Sequence, residues 1–128
     1  MALSYPEFEP LTSGIIRGAI EVHSHLGPGL LEHTYEEALY WELVDNGYEI
    51  QRQSLHPIIY KTHVIPGAYR LDLIVNDSIV VEIKSVEKVL AVHKSQVKTY
   101  LKITNLHIGL LFNFNAEQMR HGIFRISL

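Results

Sequence analysis

The sequence predicts one α/β domain in which helices pack against a β-sheet. Apolar residues recur at helical spacing up to Asn46, the pattern changes toward a period of two after Gly47, and helical spacing returns after residue 87. The nearly continuous apolar run 108–114 has the composition of a strand buried on both faces. With 128 residues, 47% of them hydrophobic and 20% charged, residues 1–128 have the size of a single globular domain.

Two helices are predicted before the strands. The first covers residues 12–25, where Thr12 or Ser13 can act as N-cap, and the segment Gly27-Pro28-Gly29 ends it. The second covers residues 30–46, over which the same helical period returns. Both helices are therefore expected to present one apolar face to the sheet.

The remaining elements follow from local period and turn residues. Segments 48–53 and 57–60 are predicted to be extended, with a turn near Pro66-Gly67. A third helix is predicted over residues 87–103, and residues 122–127 are predicted to form an edge strand.

The most informative element is a predicted hairpin of strands 69–75 and 79–85. If Asn76-Asp77-Ser78 forms a three-residue loop, Asp72 lies directly opposite Glu82 on one face of the hairpin. A two-residue loop would shift the register by one and break this pairing. The loop length therefore decides whether two carboxylates meet.

Two opposed carboxylates suggest a cation between them. Their Cβ atoms would lie roughly 4.5 to 5.5 Å apart, where like charges destabilise a sheet. Mg²⁺ prefers oxygen ligands and commonly binds through one or two carboxylates. Lys84, on the same face as Glu82, could orient an attacking water and stabilise charge on a phosphoryl group. The alternative is that Asp72, Glu82 and Lys84 form a solvated strand face with a cross-strand ion pair.

Polar residues on the helices could complete such a site. Glu32 shares a helical stripe with Tyr35, and Glu36 lies close beside that stripe. Acids at these positions could instead serve only the helix dipole. Gln96 and Tyr100 project from one face of the third helix and could position substrate, although a tyrosine at a helix-sheet boundary is usually part of the core.

Composition narrows the function classes. Without cysteine the chain has no disulfide, no thiolate metal site and no cysteine nucleophile, and its eight histidines lack zinc-site spacing. No apolar run approaches the ~18 residues of a membrane span, and no signal-peptide pattern opens the sequence, so a cytoplasmic protein without membrane association is expected. The net charge of -3 argues against nucleic-acid binding through bulk positive charge, but it is compatible with a carboxylate metal site.

The run Gly29-Leu-Leu-Glu32-His-Thr-Tyr35 matches the motif that names the GxxExxY protein family, which is assigned to the PD-(D/E)XK nuclease superfamily. The chain resembles that family in order along nearly its whole length, through the segments GPGLLEHTYEEAL, RLDLIV, VVEIKSV, HKSQVKTYL and GLLFNF. The resemblance implies a restriction-endonuclease-like core with a mixed central β-sheet flanked by helices. Its expected order is helix, three-stranded meander, helix and strand.

The resemblance also implies residue roles. Asp72 takes the place of the motif aspartate, Glu82 that of the motif acid and Lys84 that of the motif lysine, while Glu32 matches a helical glutamate of several branches. Leu71 stands where the motif has proline, a departure that leaves the chemical groups in place. All three positions that carry chemistry are filled, which favours a competent enzyme.

The function predicted on this basis is a Mg²⁺- or Mn²⁺-dependent nuclease with DNA as its expected substrate. The metal ligands are predicted to be Asp72, Glu82, the Ile83 carbonyl and Glu32. Gln96 and Tyr100 match the Q-x-x-x-Y element of RecB-like nucleases. The superfamily also contains members without activity, so the alternative is a nuclease-fold module that binds nucleic acid or a protein partner. A homodimer is one way in which so small a domain could span a duplex.

Overall fold

The computed structural model describes residues 8–128. Its helices are α1 (Glu9–Leu26), α2 (Glu32–Asp45) and α3 (Ala91–Thr104), and a short 3₁₀ helix covers Met119–Gly122. Its strands are β1 (Ile50–Tyr60), β2 (His63–Val75), β3 (Ile79–Lys84), β4 (Ile108–Asn113) and β5 (Ile123–Ser127). None of the helices within this described part of the chain combines the length and apolarity that crossing a bilayer requires.

The five strands form one mixed sheet in the order β1-β2-β3-β4-β5. Three neighbouring pairs are antiparallel, and only β3 and β4 run parallel. A parallel pair needs a crossover, which α3 supplies. This helix begins at Ala91, later than the predicted residue 87. The predicted fold class, α/β with a mixed central sheet flanked by helices, is confirmed.

The sheet is covered on both faces. On one face α1 and α2 bury residues such as Ile15 and Tyr35 against Val81 of β3. On the other face α3 packs Leu101 against Val80. Neighbouring residues of β3 thus enter different cores, and every residue of β4 is buried for the same reason. The apolar run 108–114 is therefore the central strand that the sequence predicts.

The start of α1 differs from the prediction. The helix begins at Glu9 with Phe8 at the N-cap position, and a proline occupies its first turn. Proline is favourable there because the first N–H groups of a helix have no intrahelical acceptor. Thr12 is buried inside the helix, so the prediction that Thr12 or Ser13 caps it is wrong.

The strands β1 and β2 form one long hairpin, where the sequence suggested two short extended pieces. The chain reverses at Lys61-Thr62, and Lys61 adopts a φ of 55°. The predicted turn at Pro66-Gly67 is wrong, because these residues lie inside β2, opposite a register shift between His56 and Ile58. Cross-strand pairing has overridden the local turn preference.

Candidate active site

The hairpin of β2 and β3 has the predicted register. Val75 pairs with Ile79, so residues 76–78 form the three-residue loop. The pairing continues for three residues on each strand. Asp72 and Glu82 occupy the next positions along the same register, which brings the two acids to the end of this ladder.

The Asp72 carboxylate is fixed by the backbone of the neighbouring strand. Its Oδ2 atom accepts a hydrogen bond of 2.9 Å from the Ile83 N–H. Its Oδ1 atom lies 3.4 Å from the Gln53 side-chain nitrogen. Asp72 is half-buried, so one side of the carboxylate group remains open to solvent. The side chain is held in place and still accessible to a ligand.

Glu82 is buried, with 5% of its surface exposed. Its Oε1 atom has no hydrogen-bond partner in the described chain, and its Oε2 atom lies 3.8 Å from Lys84 Nζ. Burial and the nearby Asp72 charge raise the pKa of Glu82 to about 9, against the opposing effect of Lys84. A carboxylate ionised at this position lacks the compensation that buried charges normally have.

Lys84 closes the same face of β3. Its side chain is largely buried, and its backbone carbonyl accepts a hydrogen bond of 2.9 Å from the Phe114 N–H. The side-chain amide of Asn113 then bonds both the N–H and the C=O of Val86, at 3.1 and 2.9 Å. These bonds fix the chain just after Lys84, so the ammonium group is delivered from a rigid strand end.

The buried acid of α2 is Glu36. Its carboxylate accepts hydrogen bonds from Arg52 Nε at 2.7 Å and from Gln53 Nε2 at 2.5 Å. Burial raises the pKa of Glu36, a shift that Arg52 opposes and the charge of Asp72 increases. Glu32 lies exposed at the start of the helix, and its charge contributes to the raised pKa of Glu82. Glu32 is thus near the two acids but is not buried with them.

Gln53 links the helix acid to the strand acid. Its backbone φ of 54° is left-handed, which a non-glycine residue adopts at a cost of about 1 kcal/mol or more. The β1–β2 register includes Arg52 and Ser54 but omits the pair of Gln53 with Asp72. The sequence analysis missed Arg52 and Gln53 as site residues. No sequence signal marks the strained position, because glutamine has no preference for this conformation.

Tyr35 organises the loop before α2. Its hydroxyl donates to the Gly27 carbonyl at 2.5 Å and accepts from the Leu30 N–H at 3.0 Å. Its ring stacks on Phe114, with centroids 4.7 Å apart. The Ser85 hydroxyl donates to the Leu30 carbonyl at 2.6 Å. The loop is therefore tied to the strand end that carries Lys84, and α2 starts beside the acids.

The two predicted substrate-positioning residues lie in different surroundings. Tyr100 is buried on α3 and meets the Tyr69 ring edge-on at a centroid distance of 5.9 Å. Burial and the charges of Glu82 and Asp72 raise the pKa of Tyr100, so its hydroxyl is near the carboxylates. Gln96 is half-buried along an open cleft on α3. The structure thus places Tyr100 closer to the site than the sequence could specify.

A sequence profile of the PD-(D/E)XK nuclease superfamily matches residues 9–126. The chain belongs to the PD-(D/E)XK nuclease superfamily. The match takes in all three helices and nearly the whole sheet, including the three motif positions on β2 and β3. No curated protein and no solved structure shows a significant match to the chain. The superfamily prediction is confirmed, and the narrower assignment to the GxxExxY family stays a prediction.

PD-(D/E)XK nucleases generally use divalent metal ions, and the residues of this domain fit one. Among residues 8–128, no three His, Asp or Glu side chains converge as a metal cluster, so Asp72 and Glu82 form a two-carboxylate pair. Mg²⁺ commonly binds through one or two carboxylates while it keeps several waters. The unpartnered Glu82 Oε1 and the adjacent Asp72 charge are the features that a cation would satisfy.

Proposed function

We propose that this chain is a divalent-metal-dependent nuclease whose site consists of Asp72, Glu82 and Lys84. The observation that supports this proposal is the buried Glu82 oxygen that has no partner and faces the charge of a second acid. Such an arrangement costs stability unless positive charge offsets it. An ordinary core position would carry an apolar residue, so the conflict points to function.

Asp72 and Glu82 would hold Mg²⁺ or Mn²⁺, with the Ile83 carbonyl and Glu32 as additional proposed ligands. When bound, the metal would act as a Lewis acid on the phosphodiester group. The Ile83 N–H already orients the Asp72 carboxylate through Oδ2. A preorganised ligand of this kind loses little entropy on binding.

Lys84 would act on the reacting phosphate. Its ammonium group can donate hydrogen bonds to a non-bridging phosphoryl oxygen and orient the attacking water. Hydrolysis forms a bond from the water oxygen to phosphorus and breaks the bond to the leaving sugar oxygen. Because the ammonium lies beside Glu82, it can reach a group held at the two acids. Tyr100 and Gln96 would position the substrate on the α3 side.

DNA is the substrate that we propose, on the basis of the superfamily and of the resemblance to the GxxExxY family. Residues behind the acids would serve as support. Gln53 bridges Glu36 and Asp72, and Arg52 neutralises Glu36. These contacts would set the orientation of Asp72 without touching the substrate.

Cleavage of single- and double-stranded DNA and RNA with Mg²⁺ or Mn²⁺ tests the proposal. The wild type should cut at least one of these substrates, and Asp72→Asn should abolish cutting while retaining the fold. Asp45→Asn, at an exposed acid of α2, is the matched control and should cut like the wild type. Cutting by Asp72→Asn at the wild-type rate would remove Asp72 from the site. If no protein cuts and calorimetry detects no metal binding that depends on Asp72, the chain is a binding module.

A further inference from the structure

The distal part of the β1–β2 hairpin carries apolar side chains that this chain leaves uncovered. We call residues 54–69 the arm. None of its residues is buried. Its large exposed apolar residues are Leu55, Ile59, Tyr60, Val64 and Ile65. Exposed aliphatic residues concentrated on one element indicate an interaction surface, because monomeric proteins rarely expose large contiguous apolar patches.

Both faces of the arm are open at its tip. Ile59 and Val64 pair across the two strands, and are 70% and 63% exposed. Tyr60 pairs with His63 at the alternate position and is also exposed. A two-stranded ribbon without a covered face is only marginally stable in water. The arm therefore has the composition of a buried hairpin in an unburied place.

The arm is almost free of charge. Lys61, in its turn, is the single Lys, Arg, Asp or Glu among residues 54–69. Nucleic-acid backbones are bound by several Lys or Arg side chains, which the arm does not have. A two-fold interface sets the same patch against itself, and an uncharged apolar patch does so without repulsion between like charges. The chemistry of the arm thus favours a second arm as its partner.

The size of the patch agrees with a dimer interface. Its five large exposed side chains offer on the order of 500 Å² of apolar surface, at roughly 100 Å² each. Stable interfaces bury about 800 Å² on each partner, and neighbouring atoms of the ribbon would supply the remainder. Pro57 removes an N–H from the outer strand β1, so edge-to-edge strand pairing is disfavoured there. The partner is therefore expected to cover a face of the ribbon.

We infer that the arm is a homodimerisation element, in which the apolar faces of two arms pack against each other around Ile59 and Val64. This inference does not rest on nuclease activity, since it depends only on the exposed arm. Each arm joins its domain through β2, the strand that carries Asp72. A dimer built on the arms would therefore couple two copies of the candidate site through continuous strands.

Sedimentation equilibrium of the full chain tests this inference. The wild type should be a dimer at micromolar concentration, and Ile59→Lys or Val64→Lys should raise the dissociation constant about tenfold or more. Val92→Lys is the matched control, because this valine of α3 is 64% exposed and lies outside the arm. It should leave the dimer unchanged. Val64→Thr, which keeps the β-branched shape, should weaken the dimer in the same direction if the lysine variants do not fold.

Several outcomes would overturn the inference. A wild type that stays monomeric through high micromolar concentration removes the second copy as the partner. A dimer that survives both arm substitutions in folded protein places the interface elsewhere. If the wild type is monomeric and Ile59→Lys changes its affinity for duplex DNA, the arm serves nucleic acid instead.

Discussion

The Lys84 ammonium lies 3.8 Å from the nearer oxygen of Glu82, and the other oxygen of that carboxylate is buried without a partner. The two residues stand two positions apart on β3, so the pleat directs both side chains to one face. One lysine satisfies only part of the buried acid, because Asp72 adds a second negative charge. The site therefore holds more acid than its own cation balances.

Removing the ammonium should separate chemistry from folding. Lys84→Met keeps much of the side-chain length but cannot donate to a phosphoryl oxygen, so the rate of cleavage should fall at least about 100-fold. Lys98→Met, at an exposed lysine of α3, should keep full activity. Single-turnover cleavage together with circular dichroism would measure both effects. Wild-type turnover by a folded Lys84→Met protein would exclude the proposed role.

The metal-free protein should lose stability as pH rises. The folded-state pKa of Glu82, about 9, lies above its ordinary value of 4.5, so folding favours the protonated acid. This contribution is complete below about pH 4.5 and disappears as pH rises through 9. Glu82→Gln should therefore flatten the dependence and stabilise the metal-free protein at pH 8 by about 1 to 3 kcal/mol. Thermal unfolding in chelator between pH 5 and 9 measures this effect.

The same unfolding series has a matched control and a metal test. Glu117→Gln changes an exposed acid and should retain the wild-type pH dependence. Saturating Mg²⁺ should restore stability at high pH in the wild type, because a ligand bound only by the folded state stabilises it. The same addition should not stabilise Glu82→Gln. A wild-type stability that is constant over this pH range would contradict the burial of an unpaired carboxyl.

Gln53 should matter for the site more than for the fold. Gln53→Gly removes the contacts to Glu36 and Asp72 but relieves a left-handed backbone, so the free energy of unfolding should change by less than about 1 kcal/mol. Metal affinity should fall about tenfold, as is usual when an outer-shell partner is lost. Lys61→Gly relieves a similar φ of 55° in the arm and should leave metal affinity unchanged. Calorimetric titration with Mn²⁺ compares them, and equal affinities in both variants would rule out positioning by Gln53.

The hydroxyl of Tyr35 should stabilise the loop before α2. Tyr35→Phe keeps the ring stacked on Phe114 but leaves the Gly27 carbonyl and the Leu30 N–H without their partner. The expected loss is about 1 to 2 kcal/mol in urea unfolding. Tyr60→Phe, on an exposed tyrosine, should cost much less. An equal cost for both would mean that water replaces the Tyr35 hydroxyl without penalty.

Much of the site could be predicted from local sequence. The pleat places Glu82 and Lys84 on one face, and the short loop 76–78 sets Asp72 near Glu82, because a hairpin register follows from its loop length. The helical period likewise identifies the buried face of α2 through Tyr35. These relationships span a few residues, so chain geometry alone determines them.

Only the tertiary structure decided the surroundings of these groups. Glu36 rather than Glu32 became the buried acid because β1, sixteen residues further along the chain, places Arg52 against it. The left-handed Gln53 and the continuation of β2 through Pro66-Gly67 likewise depend on pairing between strands, which overrides local preference. The sequence by itself determined which chemical groups face one another within an element or hairpin. The packing of distant segments determined which of them are buried, supported and left without a partner, because burial depends on neighbours that local periodicity does not specify.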